Sequence, residues 1–134
     1  MRNFNLDAFF RAYVTAALWS THGPSEEPFA CENLDDLFAI DDLAPACATS
    51  LRETCADFCK ANHADLQEYC ARMRSEQWSG EERAGHDFWL TQNRHGAGFW
   101  DRGLGDLGQR LTEAAQAYGS IDLYPCEDGL IYGA

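Results

Sequence analysis

The residues best equipped for chemistry lie between Gly85 and Asp106, in GHDFWLTQNRHGAGFWDRGLGD, where two histidines and three aspartates stand among glycines, arginines and aromatic side chains. His86, His95 and Asp101, with Asp87 and Asp106 nearby, are the residue types of a hydrolytic metal site. Imidazole nitrogens and carboxylate oxygens can hold a divalent ion that activates water, and glycine lets the backbone approach a ligand closely. The spacing argues against that use. His86 and His95 are nine residues apart, whereas two ligands on one helical face stand three or four apart, as in HExxH. No GxSxG elbow, Walker loop or dinucleotide fingerprint is present. A Cys–His nucleophile pair would have to draw its cysteine from a distant part of the chain.

A structural use explains more of the same residues. Phe88, Trp89, Phe99 and Trp100 serve as large apolar anchors, and the glycines let the chain fold sharply between them. Arg94 and Arg102 are available to pair with Asp87, Asp101 or Asp106. We therefore expect a structural turn that requires neither metal nor cofactor. A small metal-dependent hydrolase built on His86, His95 and Asp101 is the alternative.

The elements that must position this stretch are mostly helices. Leu6, Phe9, Phe10, Tyr13, Val14 and Ala17 form an apolar stripe on a helix from Asn5 to about Ser20, with Asn3 or Asn5 as its cap. THGPSEEP breaks that helix, and the Leu-Asp-Asp at 34–36 and IDDL at 40–43 read as two brief helical turns with acids at their positive ends. Pro45 suits the first turn of a long helix to about Asn62, and Asn62 or His63 opens another that ends near Arg74. Ser79–Asn93 fits a helix or a short buried strand; SGEERA supplies a serine cap followed by acids and Arg94-His95-Gly96 a helix exit, which favours helix. After a glycine-rich loop, Leu107, Leu111, Ala114, Ala115 and Tyr118 mark a final helix ending at Gly119. IDLY and LIY around PCEDG read as a β-hairpin. The expected fold is one domain over 1–134, mainly α, with about five helices and a small C-terminal hairpin.

Cys47, Cys55, Cys59 and Cys70 fall on the apolar stripes of the two middle helices, with Leu51, Phe58, Leu66, Tyr69 and Met73, so they read as small core residues. A metal site on the Cys55–Cys59 pair with Cys70 or a histidine would lack the short CxxC knuckles of zinc sites. Cys31 and Cys126 lie among loop residues and read as exposed, reduced thiols. Asn3, Asn5, Asp7 and Arg11 interrupt any signal-peptide-like apolar run, and no apolar run approaches the roughly 18 residues of a membrane span. An intracellular protein is the expectation.

Charge carries the strongest signal outside the motif. The chain has 22 acidic and 10 basic residues and a formal charge of −12, and the segment from Glu26 to Glu68 holds a net −9 of it. Direct contact with nucleic-acid phosphates or an anionic membrane is disfavoured by repulsion, and a charged partner should be basic. Glu53 and Asp57 form an acidic i,i+4 pair on the long helix, with Glu26, Glu27, Asp35, Asp36, Asp41 and Asp42 before it and Asp65 and Glu68 after it. Acids three or four residues apart on a helix rise about 4.5–6 Å, broadly comparable with the roughly 3.4 Å between successive phosphates along one DNA strand. The plainer use of the same acids is solvation and helix capping, above all at Asp35, Asp36, Asp41 and Asp42.

The central motif also resembles a known group. A family of small bacteriophage and prophage proteins carries a core similar to GHDFWLTQNRHGAGFWDRGLGDLGQRLTEAAQAYG, preceded by an AFFRAYVTAALWS-like helix and followed by an IDLY…GLIY-like end. Gln92 and Arg94 depart from the family pattern, which has an arginine before the asparagine and a glycine after it. A side chain at position 94 argues against a left-handed conformation there. The resemblance implies a phage or mobile-element origin and a bacterial cytoplasm. Combined with the acidity, it leads to the expectation of an anti-defence protein, anti-CRISPR-like, whose ten acids imitate DNA and occupy the basic DNA- or RNA-binding surface of a host defence complex. A phage accessory protein that meets its partner through an aromatic surface with Trp19, Trp78 or Trp89 is the other non-enzymatic expectation.

Overall fold

Two helices distant in sequence form the axis of the molecule, and the reason lies in a glycine. In the computed structural model, which describes residues 4–134, helix α1 (Leu6–Ser20) packs along helix α4 (Gly80–Gln92). At Gly85 a Cβ would stand 2.0 Å from the Phe9 carbonyl oxygen, so only glycine permits this approach. The stripe of α1 then interleaves with α4 through aromatic rings: Phe88 lies 5.8 Å from Phe9 and 5.2 Å from Tyr13, and Trp89 meets Tyr13 edge-on at 5.3 Å. The polar tips are matched as well. The Tyr13 hydroxyl donates to Gln92 Oε1 (2.6 Å), and the Trp89 indole N–H to Ser20 Oγ (2.8 Å). Asn5 caps α1 by accepting from the Ala8 amide (3.0 Å), and its own N–H donates to the carboxylate of Glu81 on α4 (3.1 Å). Asn3 lies outside the described residues.

The remaining helices surround α4, which is buried on most of its faces. Helix α2 (Pro45–Ala61) begins with proline at its first position and buries Cys47, Leu51, Cys55, Phe58 and Cys59; α3 (His63–Met73) buries Leu66, Tyr69 and Cys70. The Phe58 ring stacks on Phe88 with 4.0 Å between centroids. The four helical cysteines are thus small apolar side chains, and burial pushes the Cys55 and Cys59 thiols far above the usual range. Cys31 and Cys126 are half-buried rather than exposed, because Cys31 packs against the core and Cys126 sits in the hairpin turn.

Short 3-10 turns at Leu34–Asp36 and Ile40–Asp42 precede α2, and a third at Phe99–Asp101 precedes helix α5 (Asp106–Gln116). Helix α5 stops short of Gly119: the Tyr118 and Gly119 amides turn to the carbonyls three residues back, and Gly119 takes φ +77°. The C-terminal hairpin pairs β1 (Leu123–Pro125) antiparallel to β2 (Ile131–Gly133), with Tyr124 opposite Tyr132. It is fixed to the start of α2 by the Ala44 amide, which donates to the Ile131 carbonyl (2.8 Å). The fold is therefore mainly α with a small C-terminal sheet, as the periodicity predicts. Among the described residues no helix is long and apolar enough to cross a membrane.

Candidate functional site

Helix α4 carries the central motif, and its two ends arise from local chemistry. Ser79 and Glu82 exchange side-chain-to-backbone hydrogen bonds of 3.1 and 2.9 Å, a capping box that starts the helix. At the other end the His95 amide donates to the Leu90 carbonyl and the Arg94 amide to that of Thr91, which is the Schellman arrangement. Arg94 stands at φ +58° in the left-handed region. The expectation that position 94 avoids this conformation is overturned: the side chain's preference is overridden by the two exit hydrogen bonds that hold the residue there. Beyond the exit, Gly98 (φ +151°) sits against Thr91, whose Oγ1 accepts from the Phe99 amide (3.1 Å). Phe88, Trp89 and Phe99 are buried anchors, but Trp100 is not: it is 52% exposed because the short turn at 99–101 directs Phe99 inward and its neighbour outward.

Asp87 is the most constrained polar group of the motif. Its side chain is fully buried, and both oxygens are engaged by Arg102: Nη2 donates to Oδ1 at 2.7 Å and Nε to Oδ2 at 3.1 Å. The Tyr69 hydroxyl, arriving from α3, donates to Oδ2 as well. The Asp87 hydrogen bond raises the Arg102 guanidinium, while burial, reinforced by the Asp87 carboxylate, pushes the Tyr69 hydroxyl well up and keeps it a neutral donor. A carboxylate with both oxygens occupied and no exposure cannot serve as a general base; it joins α3, α4 and the segment after Trp100.

The histidines go elsewhere. His86 is half-buried between two tryptophans, its ring 6.1 Å from Trp19 of α1 and 5.6 Å from Trp78, which are 52% and 37% exposed. Burial holds its imidazole below the usual histidine range; Asp87 opposes the shift, and Arg102 and Arg83 add to it. His95 is exposed beyond the helix exit and lines a different surface hollow, with Trp19, His22 and Asn33. Asp101 closes its own turn by accepting from the Gly98 amide (3.1 Å) and lies 3.7 Å from Arg102, while Asp106 opens α5. His86, His95 and Asp101 are thus not brought together, and among the described residues no three His, Cys, Asp or Glu side chains are placed to hold a metal ion. Arg94, one of the two arginines expected to pair with these aspartates, makes no ion pair among the described residues.

The ten acids divide into two groups. Asp36 and Asp42 accept from the Asn33 and Ala39 amides (3.1 and 2.8 Å) and so close the two 3-10 turns, as their positions suggest. Asp57 accepts from the Tyr118 hydroxyl, Asp65 forms a two-pronged pair with Arg110 of α5 (3.0 and 3.1 Å), and Glu68 pairs with Arg72 one turn later (3.2 Å). Glu26, Glu27, Asp35, Asp41 and Glu53 are exposed, with neither an ion pair nor a side-chain hydrogen bond among the described residues. The two 3-10 turns and α2, which carry Asp35, Asp41 and Glu53, lie beside α1.

Comparison with protein-family models, curated proteins and solved structures found no match. Two residues of the site escaped the sequence analysis as functional groups. Tyr69 had a signal: a phenol on an otherwise apolar stripe needs an acceptor for its hydroxyl. Arg83 had a misleading one, since it precedes Asp87 by four residues, the spacing of a helical ion pair, yet Asp87 is taken by Arg102 from outside the helix.

Proposed function

We propose that the protein is a non-catalytic anti-defence protein of phage or mobile-element origin, acting in the bacterial cytoplasm. It binds the basic DNA- or RNA-binding surface of a host defence complex through its acidic segment. The observation that carries this reading is the set of five carboxylates, Glu26, Glu27, Asp35, Asp41 and Glu53, that the fold leaves exposed and without partners among the described residues. Unpaired like charges destabilise a small fold through self-repulsion, and a basic partner relieves that repulsion on binding. Asp36, Asp42, Asp57, Asp65 and Glu68 contribute to the same negative field while holding the segments in place.

The test expresses the protein in bacteria that carry defined CRISPR or restriction systems and measures phage plating. Plating should rise with the native chain and return to the defended level when the five free acids are replaced by lysine. The complex with the affected nuclease should weaken as salt rises through the screening range. Full protection by the five-lysine variant refutes the reading.

The exposed Trp19 and Trp78 on either side of His86 favour a second reading, an accessory protein that meets its partner through this aromatic surface. Trp89, fully buried, takes no part in it. Under this reading, Trp19→Ala with Trp78→Ala abolishes partner binding and the charge reversals do not.

A further inference from the structure

Beside the Asp87–Arg102 pair lies a small cavity of about 150 Å³ lined by Trp78, Arg83, His86 and Arg102. Its wall holds no carboxylate, in a chain whose acids outnumber its lysines and arginines by 22 to 10. Arg83 is the unusual member. Among the described residues Lys60, Arg74, Arg83 and Arg94 make no ion pair; the other three are exposed and Arg83 is half-buried. A partly buried guanidinium is costly without a counter-charge, and Asp87, one turn further along α4, is already saturated by Arg102 and Tyr69.

The rest of the wall suits an oxyanion. Arg102 is held by its Nε and Nη2 bonds to Asp87, so its remaining N–H groups are fixed in position before any ligand arrives. His86 contributes an imidazole, and Trp78 a flat apolar wall set edge-on to it at 72°. The volume is that of about five waters at roughly 30 Å³ each, enough for a phosphate group and too small for a nucleotide. A second hollow of about 350 Å³ shares Trp78 and His86 and extends along Asn5, Asp7, Arg11 and Thr15 of the α1 region and Glu82 of α4, where the carboxylates suit a neutral, hydroxyl- or amine-bearing remainder of a larger ligand rather than a second anionic group.

We propose that Arg83, His86, Arg102 and Trp78 bind the phosphate group of a small ligand, either free phosphate or a phosphate monoester whose other part lies in the adjoining hollow. The site is independent of the acidic segment and borders the structural Asp87–Arg102 pair, sharing Arg102 with it.

The probes are inorganic phosphate and adenosine monophosphate, titrated into the full chain by calorimetry, with the imidazole resonances of His86 and of the exposed His63 followed by NMR. Saturable binding that moves His86 and leaves His63 in place is expected. Equal affinity for both probes identifies free phosphate as the ligand, and tighter binding of the nucleotide identifies the monoester. Arg83→Glu should weaken binding by about tenfold or more, and Arg83→Gln, which removes the charge with less disturbance to folding, should weaken it in the same direction. The absence of saturation by either probe up to about 10 mM, or unchanged affinity in a folded Arg83 variant, overturns the proposal.

Discussion

Truncating Asp87 to alanine separates a structural from a catalytic role for the central motif. The change leaves the Arg102 guanidinium and the Tyr69 hydroxyl facing a gap where both had an acceptor. Removing one member of a buried pair costs about 3–5 kcal/mol. The lower end applies here, because the Arg102 side chain keeps 20% exposure and has Asp101 3.7 Å away as a partial substitute. A loss of about 3 kcal/mol corresponds to a fall in Tm of roughly 10–15 °C for a chain of this size. Asp87→Asn keeps one acceptor oxygen and should lose less. The triple variant Asp87→Leu, Arg102→Met, Tyr69→Phe should recover most of the stability, since apolar replacement of a whole buried pair is often close to neutral. Thermal and urea denaturation followed by circular dichroism measure all three. A Tm for Asp87→Ala within about 2 °C of the native chain, or a triple variant less stable than Asp87→Ala, refutes the assignment of Asp87 as a structural keystone.

Other positions give sharp expectations. Arg94→Gly relieves a left-handed residue worth about 1–2 kcal/mol of strain and loses about 0.4–1 kcal/mol to the freer unfolded chain, so a net gain near 0.5–1 kcal/mol should appear as a raised Tm, and a lowered one contradicts it. Gly85→Ala forces α1 and α4 apart at the Phe9 carbonyl and should destabilise by about 2 kcal/mol or more; a denaturation midpoint equal to that of the native chain would exclude this. His86 adds a pH dependence. Burial holds its folded pKa below the unfolded value of 6.5, so folding favours the neutral ring. Its contribution is complete above that value and is lost as pH falls through the folded pKa. Melting curves from pH 7 to pH 4.5 should fall more steeply for the native chain than for His86→Gln, and parallel curves would contradict the assignment.

Much of the fold is legible in the sequence because caps and apolar periodicity are local signals. Ser79 and Glu82, Pro45, and the aspartates of the two 3-10 turns act within three or four residues, and each fixes the end that its chemistry predicts. Partner choice is not local. Periodicity places Asp87, His86 and Arg83 on a helix without saying that α3 sends Tyr69 to the first, that Trp19 and Trp78 enclose the second, or that the third is left without a carboxylate. Trp100 shows the same limit at shorter range: an aromatic pair in a glycine-rich loop reads as two anchors, and a single 3-10 turn sends one of them outward. Arg94 shows that a two-bond helix exit can override the preference of the residue placed in it.

The pairing of α1 with α4 has a consequence for synthesis. At about 5–20 residues per second, the chain between Ser20 and Gln92 takes about 4–14 s to translate, and throughout that interval Phe9, Phe10, Tyr13 and Val14 lack the helix that will cover them. The nascent chain presents a ready chaperone substrate, and truncated products that stop before α4 should aggregate rather than persist. The ring-on-ring contacts that make the finished axis tight thus also make its assembly late.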